Sequence, residues 1–528
     1  MKKYILLYTF LGLLFINFGC NNQSYNNNIN QFLKLRLNAE PSLLNPILST
    51  DVYSSEVEGL VFNGLFRINS DLELIPDLAE KYKINPNGTE YTFYLRKDVF
   101  WHDGQKFTAE DVKFTFDKIL DPKTNTVRRN SFIIDGNPVQ FIVIDEYTIK
   151  AVLPKPFSPF LIRVSMSILP KHLLEKENIN KTAFNRNPIG TGPFVFKVWE
   201  SGQFIKLTRN ENYYRGKAKL QGVLFKIIPD TNTGLVALEK GEVDYAGIPA
   251  KDYKRILTKK NLNIFKYQQL QYSYLGFNLK NEFFSNKNIR QAIALAINKE
   301  AIVQSVYKGL AKPAYLPSSP VLWAYPDNFN PDQYRYNPSK CKELLNKADF
   351  ALNPDIGILE KNGKVFEFDL FMGKGNKTGE KTAQIIQRYL ANIGIKMNIR
   401  IMEWRSLLKI IQEPIENKKF DAVMMGWSLG IDPDSYTIWH SSQFPKGFNF
   451  IGYQNKKVDT LLEQGRAKFK KENRKKVYAK LYQEIVNDMP YVFLFYPDTI
   501  VGVNKRVKGL SKPGPAGVLN EIEAVFIE

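Results

Sequence analysis

Along this chain, runs that alternate apolar and polar residues give way to runs with helical spacing, and their order predicts an α/β protein built in blocks. FLKLRLN (32–38) reads as a short strand, after which Pro41, Asn45 and Pro46 mark a loop. Val52, Val57, Leu60 and Val61 follow at near-helical spacing, with Gly64 as the stop. From 72 to about 190 the pattern turns β-rich. TEYTFYLR alternates after the Asn87-Gly88 turn, and Thr108 with Asp111 makes a capping box ahead of a helix through DVKFTFDKIL. FVFKVWESGQFIKLTRN then predicts two strands joined by a turn. VLFKII, a helix over 231–240 closed by Gly241, and VDYAGI predict parallel strands with a right-handed crossover.

A second block opens at 278. NIRQAIALAINKEAIVQSVYKG predicts two helices, the second capped by Asn298 and ended by Gly309. VFEFDLFM, EKTAQIIQRYLANIG, IKMNIRIM, a helix beginning at Trp404, and FDAVMMG predict a βαβαβ run. Two helices follow over 457–468 and 472–488, with Pro490 as terminator, and VFLFYPDTIVGV is a last apolar strand that returns to the first block. The chain carries no internal repeat.

The stretch FDAVMMGWSLGIDPDSYTIWH (420–440) gathers the densest set of chemical groups. An apolar strand that breaks at a glycine into polar residues is how a parallel sheet delivers side chains to a ligand at its carboxyl edge. GWSLG fits the G-x-S-x-G pattern of a hydrolase nucleophile elbow, and Ser428, Asp432 and His440 stand in the order of a triad. The spacing opposes that reading: acid and base of such a triad come from later strands, and Asp432-Pro433 forbids the helix that must follow the serine. His102, His172 and His440 are isolated, without metal-ligand spacing, and DPDSY fails the calcium-loop pattern at Tyr436. GKGNKTGEKT (373–382) lacks the offset of a phosphate loop. A strand edge at Gly426 that pairs with an extended ligand accounts for the same residues without chemistry.

Composition narrows the class. With 528 residues, 44% hydrophobic and 13% aromatic, the chain supports several packed lobes. Its formal charge of +20 invites nucleic acid, but Lys and Arg are spread along the sequence, and the densest cluster, 468–476, sits at a helix junction. The N-terminus also directs the chain out of the cytosol. Met1-Lys2-Lys3 is a positive n-region, 4–18 an apolar h-region too short for a bilayer of about 30 Å, and Gly19-Cys20 closes it. This is similar to a bacterial lipoprotein signal, with cleavage before Cys20, lipid on that cysteine, and a polar tether over 20–31. Cys341 is the only other cysteine, so no disulfide forms within the mature chain.

LRKDVFWHDGQKFTAEDV (95–112), GTGPF (190–194), IPDTNTGLVALEKGEVD (228–244), IRQAIALAINKEAIV (289–303) and GWSLGIDPDSYTIWHSSQ (426–443) together resemble the family 5 extracellular solute-binding proteins, the peptide-binding components of bacterial ABC importers. The resemblance implies an α/β, two-lobe periplasmic-binding-protein fold (type II-like, cluster C) with an extra β-rich subdomain on the first lobe. Lobe one would comprise 32–277 plus 494–528, with the insert at 67–190; lobe two would be 278–493, with hinge crossings near Phe277-Asn278 and Phe495-Tyr496.

It further implies a monomeric receptor, exported and lipid-anchored, that passes an oligopeptide to a permease without a cofactor or nucleic acid. Gly426, Trp427 and Ser428 would meet the ligand, Trp404 would be a second aromatic wall, and Tyr272, Tyr274 and Ser49 would line the cleft. Relatives that hold a peptide's α-amine use an Asp where this chain has Gly430, which leaves Asp432 or Asp434 to replace it, or no amine contact at all. A same-fold receptor for a nickel chelate, haem or sugar, a surface adhesin, and a serine hydrolase using Ser428 are the alternatives.

Overall fold

The computed structural model describes residues 31–413, 420–444 and 447–528. The predicted signal segment 1–19, Cys20 and the tether up to residue 30 lie outside the described residues. Among the described residues no helix is long and apolar enough to cross a membrane.

Twelve strands form one sheet that runs through both halves of the protein. Its spine is Tyr491–Asn504, 14 residues long, which at about 3.3 Å per residue is on the order of 45 Å. The carboxyl half of this strand pairs with Leu262–Gln268 and Tyr245–Gly247, and the amino half with Gln271–Phe277 and Ala311–Pro313. Its apolar run VFLFY is buried almost throughout because both faces are covered.

On the first side, the order runs outward from Tyr245–Gly247 through Phe32–Leu37, Gly222–Ile227 and Phe204–Arg209 to Phe194–Glu200. The two strands predicted to be parallel are so, but Phe32–Leu37 lies between them and pairs with both. On the second side the order is Gln271–Phe277, Ala422–Ser428, Glu367–Gly373 and Lys396–Met402, and the last three are the predicted βαβαβ run.

The insert folds as a four-stranded antiparallel sheet covered by helix Ala109–Leu120, whose start is the predicted Thr108–Asp111 capping box. It has no separate core. Phe116 stacks on Phe141 at 4.2 Å, and both belong to the apolar cluster that also holds Leu33, Leu207 and Val223 of the first-side sheet. The second large cluster extends from Leu270 to Tyr496. The chain therefore changes core between Tyr267 and Leu270, earlier than the predicted crossing at Phe277-Asn278, and changes back between Tyr496 and Val501. The physical reason is that Tyr272, Tyr274 and Leu275, on the crossing strand itself, pack beneath the second lobe.

The motif glycines and charges explain themselves in this frame. A Cβ on Gly190 would sit 1.9 Å from the carbonyl oxygen of Val61, so GTGPF is glycine-rich to let it dock on helix Val52–Val61. The buried Arg290 guanidinium donates to the carbonyls of Asp488, Met489 and Phe284, and so ties helix Lys287–Ala296 to the end of helix Lys471–Asp488. Asn298 caps the next helix as predicted, through the amide of Ala301, but that helix ends at Ser305, and Gly309 follows in the left-handed turn beyond it.

Candidate functional site

Strand Ala422–Ser428 is paired along its whole length on one side and hardly at all on the other. Against Gln271–Phe277 the ladder is complete, with Trp427 opposite Tyr272 and Gly426 opposite Ser273. Against Glu367–Gly373 it covers only Ala422 and Val423. From Met424 to Ser428 one backbone edge is thus left without a strand partner, the kind of edge that an extended chain can join. Gly426 and Ser428 are exposed on it.

Trp427 lies on this strand, and Trp404 stands over the end of the neighbouring strand Glu367–Gly373. Trp404, 50% exposed, starts the helix after Lys396–Met402 and leans over Gly373, where an added Cβ would meet its ring at 3.1 Å. Trp427 is half-buried: its ring stacks on Tyr274 (6.2 Å between centroids, 10° between planes) and meets the exposed Phe448 edge-on at 5.5 Å.

Tyr272 and Tyr274 do not line an open surface. They are 1% and 0% exposed, because positions two apart on a strand share a face and this face packs on Tyr491, Phe493 and Trp439. Ser49 is likewise buried, its hydroxyl donating to Glu58 Oε2 at 2.9 Å. Burial pushes the Glu58 carboxyl up to about 7, and neither the Ser49 hydroxyl nor the positive field of Arg128 offsets it.

The acid pair is also turned inward. Asp432 is held by both Nη atoms of Arg474, at 2.7 and 2.6 Å, while Arg474 Nε donates to the Gly465 carbonyl. The Asp434 carboxylate is 3% exposed and takes three hydrogen bonds from Arg466 at 3.0–3.1 Å. Arg163 of the insert stands 3.8 Å from it. Burial alone would raise the Asp434 carboxyl, but Arg466, with Arg163 behind it, outweighs burial and holds the group below its ordinary value. Neither acid is free to receive a ligand amine in this arrangement, since an arginine already occupies each.

Ser428, Asp432 and His440 do not assemble. Asp432 belongs to Arg474, and the His440 ring lies between Ser442 (Nδ1 to Oγ 2.8 Å) and Glu463 (Nε2 to Oε1 3.5 Å). Among the described residues no cluster of metal-ligating side chains occurs.

Sequence reasoning missed the space that these groups enclose. A cavity of about 1190 Å³ opens between the insert and the second lobe. The insert gives Ile134, Phe157 and Arg163 to its walls, and the second lobe Tyr436, Phe448 and Arg466. Phe448 belongs both to this wall and to the Trp427 contact, so the cavity adjoins the open strand edge. Across its rim the two sides already touch: the Ser158 amide donates to the Arg466 carbonyl at 2.8 Å, and the Arg466 guanidinium covers Phe157 at 5.2 Å and Tyr436 at 3.7 Å. An exposed aromatic in the polar loop at Phe448 was the one sequence signal available. Phe157, Arg163 and Arg466 sit in no motif.

Comparison with known proteins places this geometry. A family profile described as "Bacterial extracellular solute-binding proteins, family 5 Middle" matches residues 73–448. The oligopeptide-binding protein AppA of Bacillus subtilis (strain 168) is 36% identical over 476 residues, covering 89% of this chain and 87% of its own. Its structure with a nonapeptide matches at a TM-score of 0.80 and 35% identity, over 94% of this chain and 98% of that one. NikZ from Campylobacter jejuni, in complex with Ni(L-His), matches at a TM-score of 0.81 and 32% identity, over 94% and 99%.

Proposed function

The chain belongs to the bacterial extracellular solute-binding proteins, family 5, receptors of ABC importers, and from that premise we propose that its cargo is an oligopeptide taken up between the two lobes. The observation that carries this reading is the backbone edge left open from Met424 to Ser428, beside a cavity of about 1190 Å³. A strand edge bonds to the backbone of any extended peptide, so it supplies affinity that tolerates sequence. Trp404, Trp427 and Phe448 add apolar contact area around the edge. Gly426 leaves the ligand room: a side chain there would lie 3.2 Å from the Tyr272 carbonyl and stand on the exposed face.

The binding cycle follows from which contacts cross the cleft. Ser158, Phe157 and Arg163 meet Gly465, Arg466 and Asp434 only when the lobes are together, so ligand and seam favour the same closed state. The closed receptor then docks on its permease. Cleavage before Cys20 and lipid on that cysteine hold the receptor at the membrane, and the role requires no cofactor and no catalysis at Ser428.

Native mass spectrometry of protein purified from a peptide-rich medium tests the cargo. The expected result is a ladder of peptide masses on the wild type, with Trp427→Ala retaining roughly ten- to thirty-fold less, the effect of losing about 1.5–2 kcal/mol of aromatic contact. One fixed small mass on the protein, or none, would overturn the peptide reading.

A further inference from the structure

A second cavity, of about 280 Å³, lies wholly within the first lobe and shares no lining residue with the one at the seam. Helix Val52–Val61, strand Phe66–Ile68 and the C-terminal turn Ile522–Ala524 meet around it. Its titratable lining groups are Arg67, Asp77, Tyr213, Arg215 and Glu523.

The charges divide between two ends. At one, Arg215 donates to Asp77 Oδ1 at 2.9 Å and pairs with Glu523, so a single guanidinium serves two carboxylates. The Asp77 side chain is 2% exposed and also takes two neutral donors, the Tyr214 hydroxyl at 2.5 Å and Asn63 Nδ2 at 3.1 Å. Burial opposes the charge on Arg215, but Tyr213 and the two carboxylates outweigh it and hold the guanidinium above its ordinary value. Among the described residues no second cation pairs with Asp77 or Glu523, so this end keeps one negative charge. At the other end stands the half-buried Arg67. Its Nε is shut off from solvent without a hydrogen-bond partner, and no carboxylate pairs with it among the described residues. Desolvated charge of either sign is costly until it is paired. Water would hydrogen-bond to each end and neutralise neither.

From this arrangement we infer that the cavity is a second binding site, for a free aliphatic amino acid whose carboxylate meets Arg67 and whose ammonium meets the Asp77–Glu523 pair. A simple anion would leave the acidic end in excess, and a simple cation would leave Arg67 alone. A zwitterion answers both ends and brings no net charge. Size and lining narrow the class. The volume lies just below the roughly 300–1,000 Å³ of ordinary ligand pockets, so it admits one amino acid and excludes an oligopeptide. Half-buried Leu60, Ile68 and Leu519 give it an apolar wall that suits an aliphatic side chain. The site lies outside the cleft, and its occupancy does not depend on the cargo. Arg67 and Asp77 belong to the ribbon that leads into the insert and Glu523 to the C-terminal segment, so an occupant ties one to the other.

Isothermal titration calorimetry of the full-length protein with three matched probes tests this. L-leucine carries both charges, 4-methylpentanoate is leucine without the amine, and 3-methylbutylamine is leucine without the carboxylate. Wild type is expected to bind leucine about ten-fold more tightly than either analogue, the worth of one charge-assisted hydrogen bond. Arg67→Gln should weaken leucine about ten-fold and leave the ladder of peptide masses in native mass spectrometry unchanged. Glu523→Gln, which matches Arg215 to Asp77 one to one, should bind leucine and 4-methylpentanoate alike.

Undiminished affinity of Arg67→Gln for leucine would place the amino acid elsewhere, in the cleft or on the surface, and overturn the inference. Equal binding of leucine and 4-methylpentanoate by wild type would overturn it too, since the cavity would then be a plain anion site. Absence of any leucine binding would sink it outright. The probe series on wild type needs no variant, so a folding defect cannot excuse the result. The peptide reading stands or falls separately, on the masses retained from the medium.

Discussion

Asp432 and Asp434 are two residues apart, both carry an arginine, and the two pairs do different work. Asp432 and Arg474 belong to the same lobe, and the guanidinium that grips the carboxylate also donates to the Gly465 carbonyl, so the pair joins loop to helix inside one body. Asp434 is gripped by Arg466 of its own lobe and approached by Arg163 from across the cleft, so that pair lies on a seam that opens. Identical chemistry at a fixed spacing thus yields a staple in one place and a shared contact in the other. The difference is set by which element ends opposite each carboxylate, and this is a property of the fold alone.

Glu58, on the first lobe, sharpens the lesson. Glu58 is 4% exposed and the Asp434 side chain 3%, but Glu58 has a serine hydroxyl at its carboxylate where Asp434 has a guanidinium. The arginine keeps Asp434 ionised despite burial, whereas burial pushes Glu58 up to about 7.

The comparison can be broken by experiment, most forcefully at Asp432. Asp432→Ala leaves Arg474, only 7% exposed, with no counter-charge. The expected loss is about 3–5 kcal/mol of unfolding free energy, read by denaturant titration. A loss below about 1 kcal/mol would mean that the pair is no staple.

Glu58→Gln comes next and reads through pH. A carboxyl raised from 4.5 to about 7 in the folded protein holds more protons than the unfolded chain between those values, so its contribution is full below pH 4.5 and is lost as pH rises through 7. The stability of Glu58→Gln relative to wild type should therefore improve from pH 4.5 to 8, by up to roughly 3 kcal/mol. A pH-independent difference would show that folding does not raise the Glu58 carboxyl.

The smallest loss of stability is expected at the seam. Asp434→Asn frees Arg466 and Arg163, which keep 22% and 34% of their side chains exposed and can be rehydrated, so the cost should be about 1–2 kcal/mol. Its larger signature is conformational: small-angle scattering of the ligand-free variant should give a longer radius of gyration than wild type, as the lobes separate. If Asp434→Asn proved as destabilising as Asp432→Ala and left the radius unchanged, the two acids would be equivalent.

Much of the architecture was legible. The βαβαβ run over 365–426 came from alternation between strand and helix periods, the Thr108–Asp111 capping box and the Asn298 cap from local side-chain chemistry. The segments that carried the family resemblance hold largely structural residues: Gly190 docks on Val61, Arg290 ties two helices, and Asp432 holds Arg474. That is why they marked the fold so well and the ligand site less directly. Gly426, Trp427 and Ser428 lie on the strand with the open edge, and Trp404 is exposed over Gly373. Tyr272, Tyr274 and Ser49 are buried instead, and being near the hinge or a loop in sequence says nothing about which face of a strand is covered.

The sequence by itself determined the elements, their order in two blocks, and the strand that ends at Gly426, because periodicity and capping act over a few residues. Only the tertiary structure decided which groups face the cavity. Strand pairing left one edge of Met424–Ser428 open, packing buried the tyrosines, and the meeting of the insert with the second lobe set Arg163 beside Asp434, 271 positions apart in the chain. Such contacts depend on long-range register and on how lobes close, and no local pattern encodes either.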